Sequence, residues 1–237
     1  MDDIKVGIYV PSYKRYDKIM TYHILNKCTY VVRESEAELY RAAGISDLLV
    51  APDDEINSLP KIRQWIIDNT PEPIVIQIDD DIKEFLYNHK NSQQVLTKDE
   101  VDIELSRFAQ MIVDLGIGLS SISMRAIPYN YQGEFQFTGL IGGVVIFNKT
   151  KLKSKYDTKI ISKVDVDVEL QELLHNRIIL IPKYFVMTSG VDTNKGGSND
   201  TKTLQKIEGI VEYLKTKWGK YFNHDYRKNI SKVNVKR

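Results

Sequence analysis

The sequence is poor in the residues that would define it cheaply. Among 237 residues there is one cysteine, Cys28, so no intramolecular disulfide is available and a reducing compartment is the expectation. Four histidines, at 23, 89, 175 and 224, show none of the spacings of a histidine metal site. The longest apolar stretch, LIGGVVIF at 140–147, falls far short of the ~20 residues a membrane helix needs. Asp2 and Asp3 stand where a secretory signal would carry positive charge, so a soluble, cytoplasmic protein is expected. There is no internal repeat and no Gly/Ser linker, which favours one continuous domain over residues 1–237.

Nor is there a bulk charge. Lys and Arg number 33 against 32 Asp and Glu, a net charge of +1, which removes any general electrostatic argument for a nucleic-acid or membrane partner. The distribution is uneven, however. Residues 201–237 hold ten basic and three acidic side chains, a local +7 on a body of −6. Such a tail is either a phosphate-binding arm or a solvated terminus.

What is present is an alternation. KVGIYV (5–10), TYVVR (29–33), DLLVAP (47–52) and PIVIQI (73–78) read as short buried strands. Between them YDKIMTYHIL (16–25), SEAELYRAAG (35–44) and SLPKIRQWIIDNTP (58–71) read as helices, with Ser35 a cap and Gly44 a stop. Strand and helix repeated in this way predict an α/β fold, a mostly parallel sheet covered on both faces. TKDEVDIELSRFAQMIVDLG (97–116) is the clearest helix, with a Thr97/Glu100 capping box and apolar residues at 101, 105, 108, 112 and 115. Beyond it are strand-like IGLSSISMR and TGLIGGVVIFN, a helix start in DVDVELQELLHN, one or two strands in RIILIPKYFVM, a polar loop at 189–200, and a final amphipathic helix in TLQKIEGIVEYLKTKW.

Chemistry concentrates at the strand ends, where parallel sheets carry their ligands. PIVIQI runs into Asp79-Asp80-Asp81, before sequence that looks helical. Alternation at a strand end turns Asp79 and Asp81 the same way and Asp80 the other. Two carboxylates so spaced suit Mg²⁺ or Mn²⁺, and the bland alternative is a solvated helix cap. After the first strand, VPSYKR places Ser12, Lys14 and Arg15 to hold phosphates, or simply in an exposed turn. VDVDVELQELL puts Asp165 and Asp167 at a helix start, either as a general base or as partners of the helix dipole. Arg63, on the helix before the aspartates, either reaches the crevice or is solvated.

PSYKR, VVRESE..LY and IQIDDD in this order resemble the GT-A glycosyltransferases. With DVDVELQELLHNRIILIP after a long gap, they look closer still to the TET-associated glycosyltransferases of bacteriophages, which modify 5-hydroxymethylpyrimidines in DNA. The resemblance covers roughly residues 5–200. It implies a GT-A-like, Rossmann-like domain with a nucleotide-sugar half (5–96), an acceptor-side half (97–200) and a basic C-terminal helix and tail (201–237). It implies a donor pocket of Pro11, Ser12, Tyr13, Arg15, Arg33, Glu34, Arg63, Asp79 and Asp80, although Asp80 gains no role beyond the local turn. Asp79 and Asp81 would hold Mn²⁺ or Mg²⁺, and Asp165 or Asp167 would be the base. Gly142, Gly143, Lys195, Gly196 and Gly197 would lie on the acceptor side. The implied reaction moves a sugar from a UDP-sugar, UDP-glucose foremost, to a hydroxymethylated base in DNA. Cations at 202, 206, 215, 217, 220, 227 and 228 would then meet phosphates. Departures are Val164 and Asn176, where relatives carry Glu and Gly, and an unidentified further metal ligand for which His224 and Asp192 are candidates. The competing expectations are a glycan, lipid or protein acceptor, a sugar-nucleotide nucleotidyltransferase, and a binding module without catalysis.

Overall fold

The computed structural model describes residues 4–124, 133–190 and 204–235. Its first half is the predicted alternation. Strands β1 (Val6–Pro11), β2 (Thr29–Arg33), β3 (Leu48–Ala51) and β4 (Ile74–Ile78) are joined through helices α1 (Ala37–Ala42) and α2 (Leu59–Asn69). Then follow β5 (Ile82–Asn88), β6 (Gln93–Val95), α3 (Lys98–Asp114), β7 (Leu119–Met124), β8 (Phe135–Gln136), β9 (Val144–Asn148) and α4 (Val164–His175). The chain ends with β10 (Ile181–Pro182), β11 (Phe185–Ser189), α5 (Leu204–Trp218) and the hairpin β12 (Phe222–Asp225) and β13 (Ile230–Val233).

Nine strands form one sheet in the order β3-β2-β1-β4-β9-β7-β11-β5-β6. It is parallel from β3 to β4, antiparallel across β9, and mixed beyond. Period-two alternation divides the core into two layers. Ile74, Ile76 and Ile78 of β4 face one side with Tyr40 of α1 and Val101, Leu105 and Phe108 of α3. Val75 faces the other, with Ile62 and Ile66 of α2, Val168 and Leu170 of α4 and Leu214 of α5. Helices therefore cover both faces.

The strand order reverses between β1 and β4, since β2 and β3 continue outward from β1 while the later strands continue from β4. That switch point opens a crevice beyond the carboxyl ends of β1 and β4, the usual ligand position in such sheets. Its two lips are the loop at Ser12 and the three aspartates.

Several local expectations are corrected. Residues 16–25 form only a 3₁₀ turn, Thr21–Ile24. Thr21 is held at long range instead, its Oγ1 donating to the Asp79 carbonyl at 2.6 Å and accepting from the Ile82 N–H at 3.1 Å. The sequence after Asp81 is strand β5 and not helix, because β11 and β6 flank it and pair with it antiparallel. Ser35 lies inside a 3₁₀ turn, Glu34–Glu36, ahead of α1 and does not cap it. The C-terminal tail is a hairpin, turned where Asp225 Oδ1 accepts from the Arg227 and Lys228 N–H groups at 3.0 and 3.2 Å. The Thr97/Glu100 capping box of α3 is present as expected. Among the described residues, no helix is long and apolar enough to cross a membrane.

Candidate active site

The three aspartates separate at once. Asp79 Oδ1 accepts from Arg63 Nη2 at 2.6 Å. Asp80 is buried; its Oδ2 accepts from Ser12 Oγ at 2.5 Å and its Oδ1 pairs with Arg15. Asp81 Oδ2 lies 3.2 Å from the same Arg15. Two guanidiniums thus offset the repulsion that consecutive carboxylates create. Burial still lifts Asp80 to about 6 against the pull of Arg15 and Ser12, and Asp81 is raised by burial and by the charge on Asp79.

Ser12 and Asp80 join the two lips of the crevice. The Ser12 N–H donates to Val31 O at 3.1 Å, continuing the β1–β2 ladder, while its hydroxyl also meets Tyr40 Oη at 2.7 Å. Tyr40 Oη accepts from the Arg15 N–H at 3.2 Å as well. On the rim, Arg33 at the end of β2 lies over the Tyr13 ring, 3.9 Å from its centroid, a cation–aromatic pair. Glu34 is exposed in the next turn.

Arg63 is 1% exposed, which rules out a solvated helix residue. It sits on the buried face of α2 among Ile62, Ile66 and Ile67, its carbonyl accepting from Gln77 Nε2 at 2.8 Å. Burial opposes its charge, and Asp79, Tyr156 and Asp165 outweigh that penalty. The side chain therefore orders Asp79 from behind.

The glycine pair Gly142 and Gly143 borders the same strand end. The Asp79 N–H donates to Gly143 O at 2.7 Å, locking the glycine pair to the end of β4. Gly143 has φ +69°, a backbone conformation that glycine adopts without penalty, and a Cβ there would strike Met187 Cε at 2.2 Å. At Gly142 an added Cβ would stand 3.8 Å from Asp165 Oδ2, so the open backbone faces that carboxylate directly. Asp165 in turn acts electrostatically on Arg63, Tyr156 and Glu169. Asp79 at the end of β4, the buried Arg63 and Asp165 of α4 thus lie close together.

The sequence matches the family described as TET-Associated Glycosyltransferase over residues 6–197. The chain belongs to that family. No curated protein matches it in sequence. Among solved structures, residues 1–349 of S. aureus TarS in complex with UDP-GlcNAc are similar, with 14% identity, a TM-score of 0.54 and coverage of 90% of this chain and 67% of that one. A mannosyltransferase from Pyrobaculum calidifontis, in complex with GDP-Man and Mn²⁺, has 14% identity and a TM-score of 0.59, with 90% and 63% covered. The chain thus spans less than two thirds of that enzyme. Glucosyl-3-phosphoglycerate synthase from Mycobacterium tuberculosis, in complex with Mg²⁺ and UDP, has 10% identity and a TM-score of 0.53, with 97% and 87% covered. These likenesses give the fold, which is GT-A. The protein is a glycosyltransferase, and the nucleotidyltransferase and non-catalytic alternatives fall away.

In this transferase the aspartates fit a divalent metal by their chemistry. Asp79 and Asp81 keep 36% and 20% of their side chains exposed, against 9% for Asp80, and both offer only oxygen. Among the described residues no three His, Cys, Asp or Glu side chains converge as a metal group. His224 is not brought to Asp79 and Asp81. It is buried in the C-terminal hairpin with Nδ1 3.0 Å from Ser231 Oγ and its ring edge-on to Tyr226. Asp192, Lys195, Gly196, Gly197 and Lys202 lie outside the described residues.

The structure separates Asp167 from Asp165. Two residues apart on a helix is about 200° of rotation, so the pair cannot share a face. Asp167, 1% exposed, accepts from Trp218 Nε1 and Gln171 Nε2, both at 2.7 Å, and pairs with Lys217 at 2.9 Å. It anchors α5 to α4. Replacing Asp167 with alanine is expected to cost about 2–3 kcal/mol, discounted because Lys217 can turn to water. Chemical denaturation checks this, and the folded fraction should keep transferring sugar. Lys217 pairs with Asp157 and Asp167, and Lys215 pairs at the surface with Glu212 and Tyr226.

Tyr40, Thr21, Tyr156 and Glu169 were not anticipated. The first three reach the site only through long-range packing, and nothing in their local sequence marks them. Glu169 was accessible in principle, since it stands four residues after Asp165 on one helix.

Proposed function

We propose that the protein transfers a sugar from a UDP-sugar to the hydroxyl of a 5-hydroxymethylpyrimidine in DNA, with Asp165 as the base. The observation that carries the reading is Asp165 facing Gly142 across the crevice from Asp79 and Asp81. Asp79 and Asp81 would hold Mn²⁺ or Mg²⁺, which when bound offsets the negative charge developing on the departing diphosphate. Ser12, Tyr13, Arg15 and Arg33 frame the nucleotide, and Arg15 supplies a fixed positive charge beside the diphosphate position. Arg63 holds Asp79 in place and keeps a positive charge near Asp165. Asp165 then takes the proton of the acceptor hydroxyl as that oxygen attacks the anomeric carbon.

Two facts support DNA as acceptor: membership of the TET-associated family and the concentration of positive charge after residue 200, where Arg227 and Lys228 are exposed in the hairpin turn. A base in a duplex would have to leave the stack to reach Asp165, at a cost of a few kcal/mol.

The test incubates the protein with Mn²⁺, a panel of UDP-sugars and DNA containing 5-hydroxymethylcytosine or 5-hydroxymethyluracil, followed by nucleoside mass spectrometry. The expected result is a sugar-sized mass increase on the hydroxymethylated nucleoside alone. Transfer to a glycan, lipid or protein with no nucleoside shift would replace the DNA reading.

A further inference from the structure

One face of α4 carries a second carboxyl group. Glu169 stands one turn after Asp165 and is fully buried, and its Oε1 accepts from the Gly139 N–H at 3.0 Å. The Ile141 backbone also acts on this carboxyl group, favouring its charged form, and Oε2 has no hydrogen-bond partner among the described residues. The segment 137–142 therefore runs along α4. Phe137 O accepts from the Ile179 N–H beyond the helix, Gly139 meets Glu169, and Gly142 meets Asp165. Leu140, next to the Gly139 contact with Glu169, is 47% exposed.

We propose that Glu169 is a positioning residue for the acceptor: it clamps residues 139–141 against α4, so that Gly142 stays open before Asp165 and Leu140 is presented to the incoming substrate. This rests on Asp165 being the base. No mechanistic step uses Glu169 directly, yet a buried carboxyl group on the acceptor loop needs a reason, since burying such a group costs stability unless it is neutral or paired. Burial raises its pKa to about 8, and Asp165 adds to the rise. The clamp is accordingly a neutral acid at neutral pH, and it adds no second negative charge beside the base. Its charged surroundings are few. Asp165 is the acidic neighbour on α4, and the loop residues 139–141 carry no charge. Arg63 of α2 and Tyr156 act on Asp165, while Lys217 of α5 is occupied on the Asp167 side.

The sign of the pH effect follows. An unfolded glutamic acid releases its proton near 4.5 and the folded one near 8, so the folded chain binds more protons between those values. Stability contributed by this group is complete below the lower value and is lost as pH rises through the upper one. Above about pH 8 a charge forms under the loop and the clamp weakens.

The experiment compares wild type, Glu169→Gln and Glu169→Ala, with Asp165→Asn as reference. Amide hydrogen exchange is followed at residues 139–141 at about pH 7 and about pH 9, corrected for intrinsic rates. Kinetics use UDP-glucose and a duplex bearing 5-hydroxymethylcytosine. In wild type, protection should fall at the higher pH and acceptor KM should rise. Glu169→Gln, neutral throughout, should keep both at their neutral-pH values. Glu169→Ala should raise acceptor KM about tenfold or more, with donor KM unchanged. An identical alkaline loss of protection in Glu169→Gln, or a Glu169→Ala effect on donor KM alone, would overturn the clamp. If the duplex is not modified, or Glu169→Ala does not fold, the exchange comparison between wild type and Glu169→Gln still decides. A fully active Asp165→Asn would instead remove Asp165 as base, which separates the two failures.

Discussion

Asp165→Asn should lower turnover by roughly two to four orders of magnitude while leaving folding and donor binding intact. The substitution keeps the shape of the side chain and removes only its capacity to accept a proton at neutral pH. Arg63 and Tyr156 behind it, and the glycine backbone in front, place this carboxylate where an acceptor hydroxyl would approach. The measurement is kcat in single-turnover assays, beside UDP-sugar affinity by calorimetry. Full activity in the variant would return the role of base to another group. Because Asp167 is committed to Trp218, Gln171 and Lys217, its own replacement should register in stability and not in the chemical step.

Asp81→Ala should remove metal-dependent donor use, with turnover falling about a hundredfold or more and the Mn²⁺ requirement abolished. The fold should survive. Arg15 keeps its pairing with Asp80, and the Asp81 backbone still accepts from the Gly190 N–H at 3.0 Å. Mn²⁺-dependent UDP binding is the direct readout, and unchanged binding and turnover would place the metal elsewhere. Asp80→Asn differs in kind. It keeps a hydrogen-bond acceptor for Ser12 but deprives Arg15 of its buried partner, so it should loosen the two lips of the crevice without abolishing metal binding. Comparing the two separates a ligand from a brace within one triplet.

That contrast shows where sequence reading reached its limit. The placement of Asp79–Asp81 at the end of β4 was legible, because strand–helix alternation locates strand ends and parallel sheets gather ligands there. The expected alternation does not describe the triplet's pairing, in which Asp80 and Asp81 share Arg15 and Asp79 meets Arg63. Those partners were not legible, since Arg63 lies 16 residues before Asp79 and Arg15 lies 65 before Asp80. For Arg63 the sequence left a crevice partner and a solvated helix residue both open, and packing decided for the buried partner. Residues 16–25 read as helix because their local composition permits one, but Thr21 gains two long-range hydrogen bonds that a helix would forgo. Strand β5 was misread for the same reason, as its pairing with β11 joins residues about a hundred positions apart.

By itself, then, the sequence determined the alternating α/β order, the acidic strand end, the glycine pair and the α4 acidic residues, because each is a local pattern of period, turn chemistry or charge. Tertiary structure decided which partners each carboxylate meets. Helix rotation turned Asp165 toward Gly142 and Asp167 to α5, burial joined Asp80 to Ser12 and Arg15, and the run of 137–142 along α4 put Glu169 under Gly139. Those pairings depend on which distant groups share a low-dielectric contact, and only the folded chain brings such groups together.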